Sequence, residues 1–243
     1  MANLFDTHFH LDLQKPISVA VDAINESQIY TIAMTNLPDL YKRGKDSCNS
    51  QYVRVALGFH PELVCQYKKQ QCLMWELLDD ARYVGEIGLD YTCKSIEKSF
   101  QRTFFEELIG RCRDSRDKIL SIHSRRAAND IINIIGEDFK FTPILHWYSG
   151  SKRDIELAIN RGFYFSVNHI MMRSSSFLSM MSLIPLEKLL LETDSPFTGT
   201  ISQKRSLEKT IFELSLAKHL SMENMKVKLW NNFVGLLKTT STK

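Results

Sequence analysis

The chain has 243 residues, of which 44% are hydrophobic and 24% are charged, with only 10 glycines and 6 prolines. This composition is typical of a globular protein and excludes disordered, collagen-like and mucin-like chains. The formal net charge of +3 is too small to indicate an anionic partner, so any nucleic-acid function must be argued from a site.

Eight short runs of aliphatic and β-branched residues recur along the whole chain. Most of them are continuously apolar, which is typical of parallel strands that are buried on both faces. In chain order the predicted strands are Leu4–Asp6, Ile29–Thr35, Val53–Gly58, Tyr83–Gly88, Ile119–His123, Pro143–His146, Phe163–Val167 and Lys188–Glu192.

Segments of helical character lie between these runs. Ser95–Arg116 is the clearest, because Phe100, Phe104 and Leu108 follow one another at a spacing of four residues. The other predicted helices are Pro16–Glu26, Pro38–Gln51, Ser151–Ile159, Met171–Ile184, Gln203–Leu220 and Ser221–Lys238.

The alternation, the strand count and the length together predict an α/β fold, a (β/α)₈ TIM barrel with an additional C-terminal helix. We expect residues 1–243 to form one domain, because no linker, repeat or low-complexity run divides the chain. A doubly wound open sheet is the alternative, although such sheets usually have fewer strands.

The five cysteines form no CxxC pair, so neither a disulfide framework nor a cysteine zinc site is expected. The first ten residues carry an aspartate and two histidines where a signal peptide needs an apolar stretch. No apolar run approaches the roughly 18 residues of a membrane span. We therefore expect a cytoplasmic protein without membrane contact.

Six of the seven histidines fall at or near the C-terminal ends of predicted strands, where a barrel collects its catalytic groups at one mouth. Two carboxylates follow the same rule, one on the fourth strand and one after the eighth. So many ionisable groups at one mouth are unstable without a compensating cation. The residues concerned are His8, His10, His60, His123, His146, His169, Glu86 and Asp194.

The spacing of His8 and His10 adds a geometric point, because residues two apart on a strand face the same way and can bind one ion. Taken singly, a histidine can be a hydrogen-bonded core residue, and Glu86 or Asp194 can cap a turn or a helix. Taken jointly, they favour a metal site. Imidazoles with carboxylates suit zinc, manganese, iron or nickel, and this many ligands predict two ions and hydrolysis of an ester, commonly a phosphate ester.

The strand-end motifs resemble those of the TatD family of metal-dependent deoxyribonucleases, within the amidohydrolase-like superfamily. The resemblance extends over essentially the whole chain, and its most specific parts are Gly-Glu-Ile-Gly-Leu-Asp-Tyr and Leu-Glu-Thr-Asp-Ser-Pro. The matching segments are Asp6–His10, Gly58–Pro61, Gly85–Tyr91, Ile122–Ser124, His146–Gly150, Leu191–Pro196 and Asn231–Leu237.

The resemblance implies a hydrolase that cleaves phosphodiester bonds of DNA, acting as a 3′-to-5′ exonuclease on single strands or DNA ends. It also implies two divalent metal ions, which are magnesium, manganese or zinc. It implies that His8, His10 and Asp194 hold the first ion, that His123 and His146 hold the second, and that Glu86 bridges the two ions. It further implies that Asp194 acts as the base and that His60 lies near the scissile phosphate.

The departures from the family pattern concern the substrate rim. Glu62 stands where the family has a second histidine, and the loop after Asp194 is short. These features resemble a short variant from bacterial anti-phage gene clusters. The candidate substrate contacts are Arg125 for phosphate, Trp147 and Tyr148 for base stacking, and His169, Lys204 and Arg205.

Two other functions remain open from the sequence. One is hydrolysis of a small ester, lactone or amide, as in other amidohydrolase branches. Several of those enzymes bridge their ions with a modified lysine, where this chain has Glu86. The other is a barrel subunit with protein partners in an anti-phage defence complex.

Overall fold

The computed structural model describes residues 2–199 and 201–239. Strands and helices alternate through this part of the chain. The strands are β1 (Phe5–His10), β2 (Tyr30–Met34), β3 (Val53–Val55), β4 (Tyr83–Gly88), β5 (Ile119–His123), β6 (Thr142–Leu145), β7 (Tyr164–Val167) and β8 (Leu189–Leu191). The helices are α1 (Ile17–Ser27), α2 (Pro38–Ser47), α3 (Pro61–Val64), α4 (Gln71–Leu78), α5 (Ser95–Cys112), α6 (Ala128–Ile135), α7 (Lys152–Asn160), α8 (Ser175–Met181), α9 (Gln203–Ala217) and α10 (Met222–Thr239).

The strands are parallel and follow chain order, as β1-β2-β3 and β4-β5-β6-β7-β8. Leu57 joins the two groups, because its N–H donates to the carbonyl of Tyr83 at 2.9 Å and its own carbonyl accepts from Gly85 at 2.8 Å. On the other side, the Thr7 hydroxyl donates to the carbonyl of Leu191 at 2.9 Å. The strands therefore close on themselves as a TIM-barrel-like α/β fold, rather than forming an open doubly wound sheet.

Two strand ends differ from the prediction by more than one residue, and each has a packing reason. β1 continues beyond Asp6 to His10, with an irregular register against β2, because its polar residues are buried and paired inside the barrel. β3 ends at Val55 instead of continuing to Gly58. A Cβ on Gly58 would come within 1.6 Å of the carbonyl oxygen of Thr35, so the backbones here approach too closely for a regular ladder.

The predicted helices are present, with some shorter than expected. α5 ends at Cys112 rather than Arg116, and only Ser175–Met181 of the predicted Met171–Ile184 helix is α-helical. Three helices (α3, α4 and α6) were not delimited by the prediction. For the eight-residue α6 the sequence does contain a helical signal, namely the spacing of its isoleucines, which places Ile131, Ile132 and Ile135 on one buried side.

The additional C-terminal helix α10 packs against the beginnings of the strands. Phe233 stacks on Phe5, the first residue of β1, with ring centroids 4.5 Å apart and an interplanar angle of 9°. The Asn232 amide donates to the carbonyls of Leu186 and Leu189 at 2.7 and 2.9 Å, beside the start of β8. The helix therefore covers one end of the barrel and leaves the opposite end, where the strands finish, for a site. Within the described ranges no helix is long and apolar enough to span a bilayer.

Candidate metal centre

The ends of six strands and the segments after them bring seven of the predicted groups together. Their possible ligand atoms form three overlapping sets, and within each set all atoms lie within 4.8 Å of one another. The sets are His8, His10 and Asp194; His8, Glu86 and His146; and His60, Glu86 and His123.

The first set depends on the alternation of β1 and on a left-handed turn after β8. His8 and His10 lie two residues apart, and their Nε2 atoms are 3.3 Å apart. Asp194 has a φ of +50°, and its backbone N–H donates to the carbonyl of His8 at 2.8 Å. Its Oδ1 consequently lies 3.6 Å from Nε2 of His8 and 3.2 Å from Nε2 of His10.

Glu86 stands between this set and the other histidines. Its Oε2 lies 3.5 Å from Nε2 of His8 and 3.2 Å from Nε2 of His10. Its Oε1 lies 2.6 Å from Nδ1 of His123 and 2.8 Å from Nε2 of His146. One buried carboxylate therefore presents one oxygen to each half of the cluster, which is the arrangement of a bridging ligand.

The glycine before Glu86 explains how the carboxylate reaches this position. A Cβ on Gly85 would lie 2.6 Å from Sδ of Met34 and 2.9 Å from Cβ of Ser121. A glycine at this place therefore lets β4 pack closely against Met34 of β2 and Ser121 of β5. In the Gly85-Glu86 pair, the glycine thus serves the packing of the strand and the glutamate serves the site.

His60 lies on the open side of the cluster, as the residue that precedes α3. Its Nδ1 accepts a hydrogen bond from the backbone N–H of Glu62 at 3.2 Å. In the neutral ring the proton is therefore on Nε2, which faces Oε1 of Glu86 at 3.4 Å. This tautomer directs the Nε2 proton of His60 at Glu86, although the same ring also belongs to the third set of possible ligand atoms.

Each of the other four histidines has a polar group near its second ring nitrogen, and at His8 and His123 that group is a hydrogen-bond partner. Such partners fix the tautomer and the orientation of metal-binding imidazoles. Nδ1 of His8 contacts the Ser121 hydroxyl at 2.7 Å. The remaining pairs are Nε2 of His123 with Asp90 at 2.9 Å, Nδ1 of His10 with Asp12 at 3.8 Å, and Nδ1 of His146 with Glu192 at 3.8 Å.

The ionisation of the cluster follows from its burial and its carboxylates. Burial lowers the pKa of His8 to about 4, so this ring is in the neutral form that binds metal. At His10 burial lowers the pKa, but the nearby carboxylates of Asp194 and Glu86 outweigh it and raise the pKa to about 10. Burial also raises the pKa of Glu86, yet the charge of His60 and of the neighbouring histidines holds it well below its usual range.

Unpartnered buried polar atoms show, independently of the residue types, that these donors suit a divalent metal ion. Oδ1 of Asp194 is buried and has no hydrogen-bond partner among the described residues, although it faces two imidazoles. Nδ1 of His10 and Nδ1 of His146 are also buried without a hydrogen bond. An unpartnered carboxylate oxygen in a buried site is costly, and a cation would satisfy it.

A cavity of about 440 Å³ opens above the cluster at the ends of the strands. Its floor is formed by the cluster itself and Asp90. Its rim carries the positive charge of Arg125, the negative charge of Glu62 and the aromatic rings of Trp147 and Phe197. Ser124 and Ser149 complete this lining.

A family model described as TatD related DNase matches residues 5–238. The chain belongs to this family. A metal-dependent hydrolase of Buchnera aphidicola is 27% identical over 259 residues, covering 98% of this chain and 97% of that protein. A Schizosaccharomyces pombe protein named deoxyribonuclease Tat-D is 33% identical over 117 residues, or 46% of this chain and 37% of its own length. A TatD homologue from Escherichia coli superposes with a TM-score of 0.82 over 98% of both chains at 23% identity.

Membership of the TatD family confirms the resemblance drawn from the strand-end motifs. It makes this chain a metal-dependent hydrolase, and the three sets of residues are its candidate metal-binding groups. The structural similarity supports the same barrel architecture.

Two of the predicted substrate residues line the cavity of this TatD-family protein, and they are Arg125 and Trp147. Arg125 is exposed just before α6. Trp147 has a φ of +36°, which is rare for a bulky residue, and its N–H donates to Oε1 of Glu192 at 3.2 Å. The backbone is thus held in an unfavourable conformation directly after His146.

The prediction for Tyr148 needs correction. Its ring is only 2% exposed and packs edge-on against Phe165, and its hydroxyl donates to the carbonyl of Ser151 at 2.6 Å. The residue is part of the core because the turn at Trp147 sends consecutive side chains in different directions. Tyr148 therefore does not offer a face for stacking at the mouth.

The three remaining rim predictions also do not reach the cavity. His169 is 2% exposed and pairs with the Ser206 hydroxyl at 3.0 Å, so the structure places it in the packing between β7 and α9. Lys204 and Arg205 lie in the first turn of α9 and do not line the cavity over the cluster.

Sequence reasoning left the partner of His123 without a role, although it lies in a motif quoted for the family. Asp90 is fully buried, and its Oδ2 lies 2.9 Å from Nε2 of His123. Its other oxygen accepts from the N–H and the hydroxyl of Thr92 at 2.8 and 2.5 Å. The carboxylate is therefore fixed on one side by a turn and on the other by the histidine, leaving Nδ1 of His123 to face the cluster.

This arrangement predicts a metal-affinity phenotype for Asp90→Asn. An amide has one acceptor oxygen, so it cannot serve both Thr92 and His123, and His123 loses its orientation. We expect the affinity of one metal ion to fall by about 10- to 100-fold, as for other partners of metal-binding histidines. Calorimetric titration with Mn²⁺ measures it, with exposed Asp80→Asn as the matched control. Equal Mn²⁺ affinities for Asp90→Asn and the native protein would contradict the assignment.

Proposed function

We propose that the chain is a deoxyribonuclease that hydrolyses phosphodiester bonds of DNA with two divalent metal ions, of magnesium, manganese or zinc. The observation that carries this proposal is the position of Glu86, which directs one oxygen to each half of the cluster. We assign His8, His10 and Asp194 to the first ion and His123 and His146 to the second, with Glu86 shared between them.

Bound divalent ions supply charge for the phosphoryl oxygens and a water of lowered pKa. Asp194 accepts a proton from the attacking water, since its Oδ1 is buried and free of hydrogen bonds among the described residues. His60 lines the cavity, and its Nε2 proton, which faces Glu86, can be donated to a substrate oxygen that approaches the cluster. Arg125 and Trp147 line the same cavity and contact the substrate there.

The size of the cavity supports action on an unpaired DNA end. About 440 Å³ lies in the range of small-molecule pockets, which accommodate a nucleotide rather than a duplex. We therefore propose single-stranded DNA or frayed ends as substrate, and the 3′-to-5′ direction that the family resemblance implies. We also propose that residues 1–243 form a single hydrolase domain in the cytoplasm.

End-labelled oligonucleotides test this function directly. Single- and double-stranded DNA and RNA are incubated with the protein and Mg²⁺, Mn²⁺ or Zn²⁺, beside the Asp194→Asn variant. We expect release of mononucleotides from the 3′ end of single-stranded DNA, and none by the variant. Preferred cleavage of RNA, or no cleavage of any nucleic acid with all three metals, would overturn the proposal.

A second candidate is a hydrolase of a small ester, lactone or amide without a phosphate. It is favoured by Glu62, an exposed carboxylate that lines the cavity where a cation would suit a phosphate. A substrate screen that found turnover of such compounds and none of DNA would put this candidate first. A role with protein partners in anti-phage defence stays a prediction.

Removal of the metal gives a further prediction. Chelation with EDTA is expected to abolish hydrolysis and to lower the melting temperature, because ions that bind only the folded state stabilise it by mass action. At ion concentrations 100 times the dissociation constant the stabilisation is about 2.7 kcal/mol. Differential scanning calorimetry with and without Mn²⁺ measures the shift, and metal analysis after dialysis should give two ions per chain. An unchanged melting temperature would argue against metal binding by this cluster.

A further inference from the structure

An exposed aromatic ring stands beside the metal cluster without a role in the function described so far. Phe197 is 62% exposed, although aromatic side chains of this size are usually largely buried. It lines the cavity above the cluster.

The backbone and the ring of Phe197 are both tied to the first set of metal-binding residues. Its N–H donates to the carbonyl of Asp194 at 2.9 Å, which closes a turn immediately after that residue. Its ring lies perpendicular to the His10 ring, with centroids 5.3 Å apart and an interplanar angle of 89°. The ring is thus held at a fixed place next to the cluster, and more than half of its surface still faces solvent.

The residues around the Phe197 ring indicate which kind of substrate group can pack on it. Glu62, in the short helix α3 after β3, gives its part of the rim a negative charge, and Arg125 after β5 gives its part a positive one. Phe197 and Trp147 are the aromatic residues that line this cavity, and Trp147 is partly packed against the core. A substrate group that extends from the cluster past His10 therefore meets an aromatic face.

We propose that Phe197 is the platform on which the nucleobase of the nucleotide being removed stacks. This inference rests on the proposed deoxyribonuclease function and adds to it a specificity-determining residue. Every nucleobase has an aromatic face, so stacking of this kind is tolerant of sequence. A base that stacks on Phe197 cannot remain in a duplex, and the platform thereby selects unpaired ends.

The test pairs a change in the protein with a change in the substrate. One substrate is a single-stranded oligonucleotide with an ordinary 3′-terminal nucleotide, and the other ends in an abasic tetrahydrofuran nucleotide. The variants are Phe197→Ala and, as matched control, Phe212→Ala on α9, which is 48% exposed and does not line the cavity. The measured quantity is kcat/KM with Mn²⁺ for each combination.

We expect the native protein and Phe212→Ala to prefer the ordinary end over the abasic end by about 10- to 100-fold, the range of single base–aromatic stacking contacts. Phe197→Ala should lose this preference and cleave the abasic end as fast as the native protein does. Equal losses on both substrates, or an intact preference, would overturn the platform.

A binding measurement separates this inference from the proposed function. Calorimetry with Mn²⁺ compares 2′-deoxyadenosine 5′-monophosphate with 2-deoxyribose 5-phosphate, which lacks the base. A preference for the nucleotide that disappears in Phe197→Ala supports the platform even if no oligonucleotide is cleaved, in which case the nuclease proposal alone fails. Equal binding of the two ligands by the native protein would overturn the platform.

Discussion

The Asp194→Asn variant is expected to lose hydrolysis by about 10²- to 10⁴-fold, the contribution typical of a positioned general base. Asp194 faces the Nε2 atoms of His8 and His10, and its Oδ1 has no hydrogen-bond partner among the described residues. An amide at this place neither accepts a proton from water nor carries charge to hold an ion. The loss should therefore appear mainly in kcat.

Asparagine is chosen at position 194 so that the substitution changes the activity without changing the stability of the fold. Asp194 has a φ of +50°, which asparagine tolerates much better than alanine does. The backbone bonds from Asp194 to the His8 carbonyl and from Phe197 to Asp194 are independent of the side chain. The melting temperature should stay close to that of the native protein, and the exposed Asp80→Asn serves as control. Retention of more than a tenth of the activity would remove Asp194 from the proposed chemistry.

The fold was largely predictable because a barrel repeats one pattern eight times. Every predicted strand has a counterpart in the structure, and α10 lies where the last apolar periodicity indicated. The predicted bounds of β1 stop at Asp6, since Thr7 and His8 interrupt the apolar run, although the spacing of His8 and His10 already indicated a strand. These residues are buried because partners remote in sequence satisfy them, such as Thr193, which donates to Asp6 at 2.6 Å.

In the candidate site, too, one part could be predicted from the sequence and another could not. The residues that converge at the mouth could be predicted, since the fold places all strand ends together. The orientation of neighbouring side chains could not, because it depends on single backbone angles. Trp147 and Tyr148 are adjacent, yet one lines the cavity and the other lies in the core. Asp90 and its bond to His123 likewise required coordinates, as two strands separated by a helix bring them together.

The second large effect is expected at a glycine that touches no substrate. Gly58 follows β3, and a Cβ at this position would lie 1.6 Å from the carbonyl oxygen of Thr35 and 2.7 Å from the backbone nitrogen of Glu86. Both neighbours are backbone atoms, one directly after β2 and one in β4, so they cannot rotate away as a side chain does. Gly58→Ala must therefore separate β3 from β2 and β4, and it must displace Glu86.

We expect Gly58→Ala to lower the free energy of unfolding by about 3 kcal/mol or more, the upper range for overpacking in a core. For a chain of this length that corresponds to a fall in melting temperature of about 6 °C or more. Because the clash involves the backbone of Glu86, Mn²⁺ affinity should fall as well, which a purely distant destabilisation would not cause.

Gly110→Ala is the matched control for this substitution. Gly110 lies inside α5, and a Cβ there meets no atom within 4 Å. Alanine favours a helix interior over glycine by about 0.5–1 kcal/mol, so this variant should be more stable than the native protein and bind Mn²⁺ equally well. The same chemical change thus has opposite signs at two positions of one chain, because one site is a close approach of three strands and the other is an open helix surface. If thermal unfolding showed the two variants to be equally stable, the close packing of the strand backbones around Glu86 would be wrong.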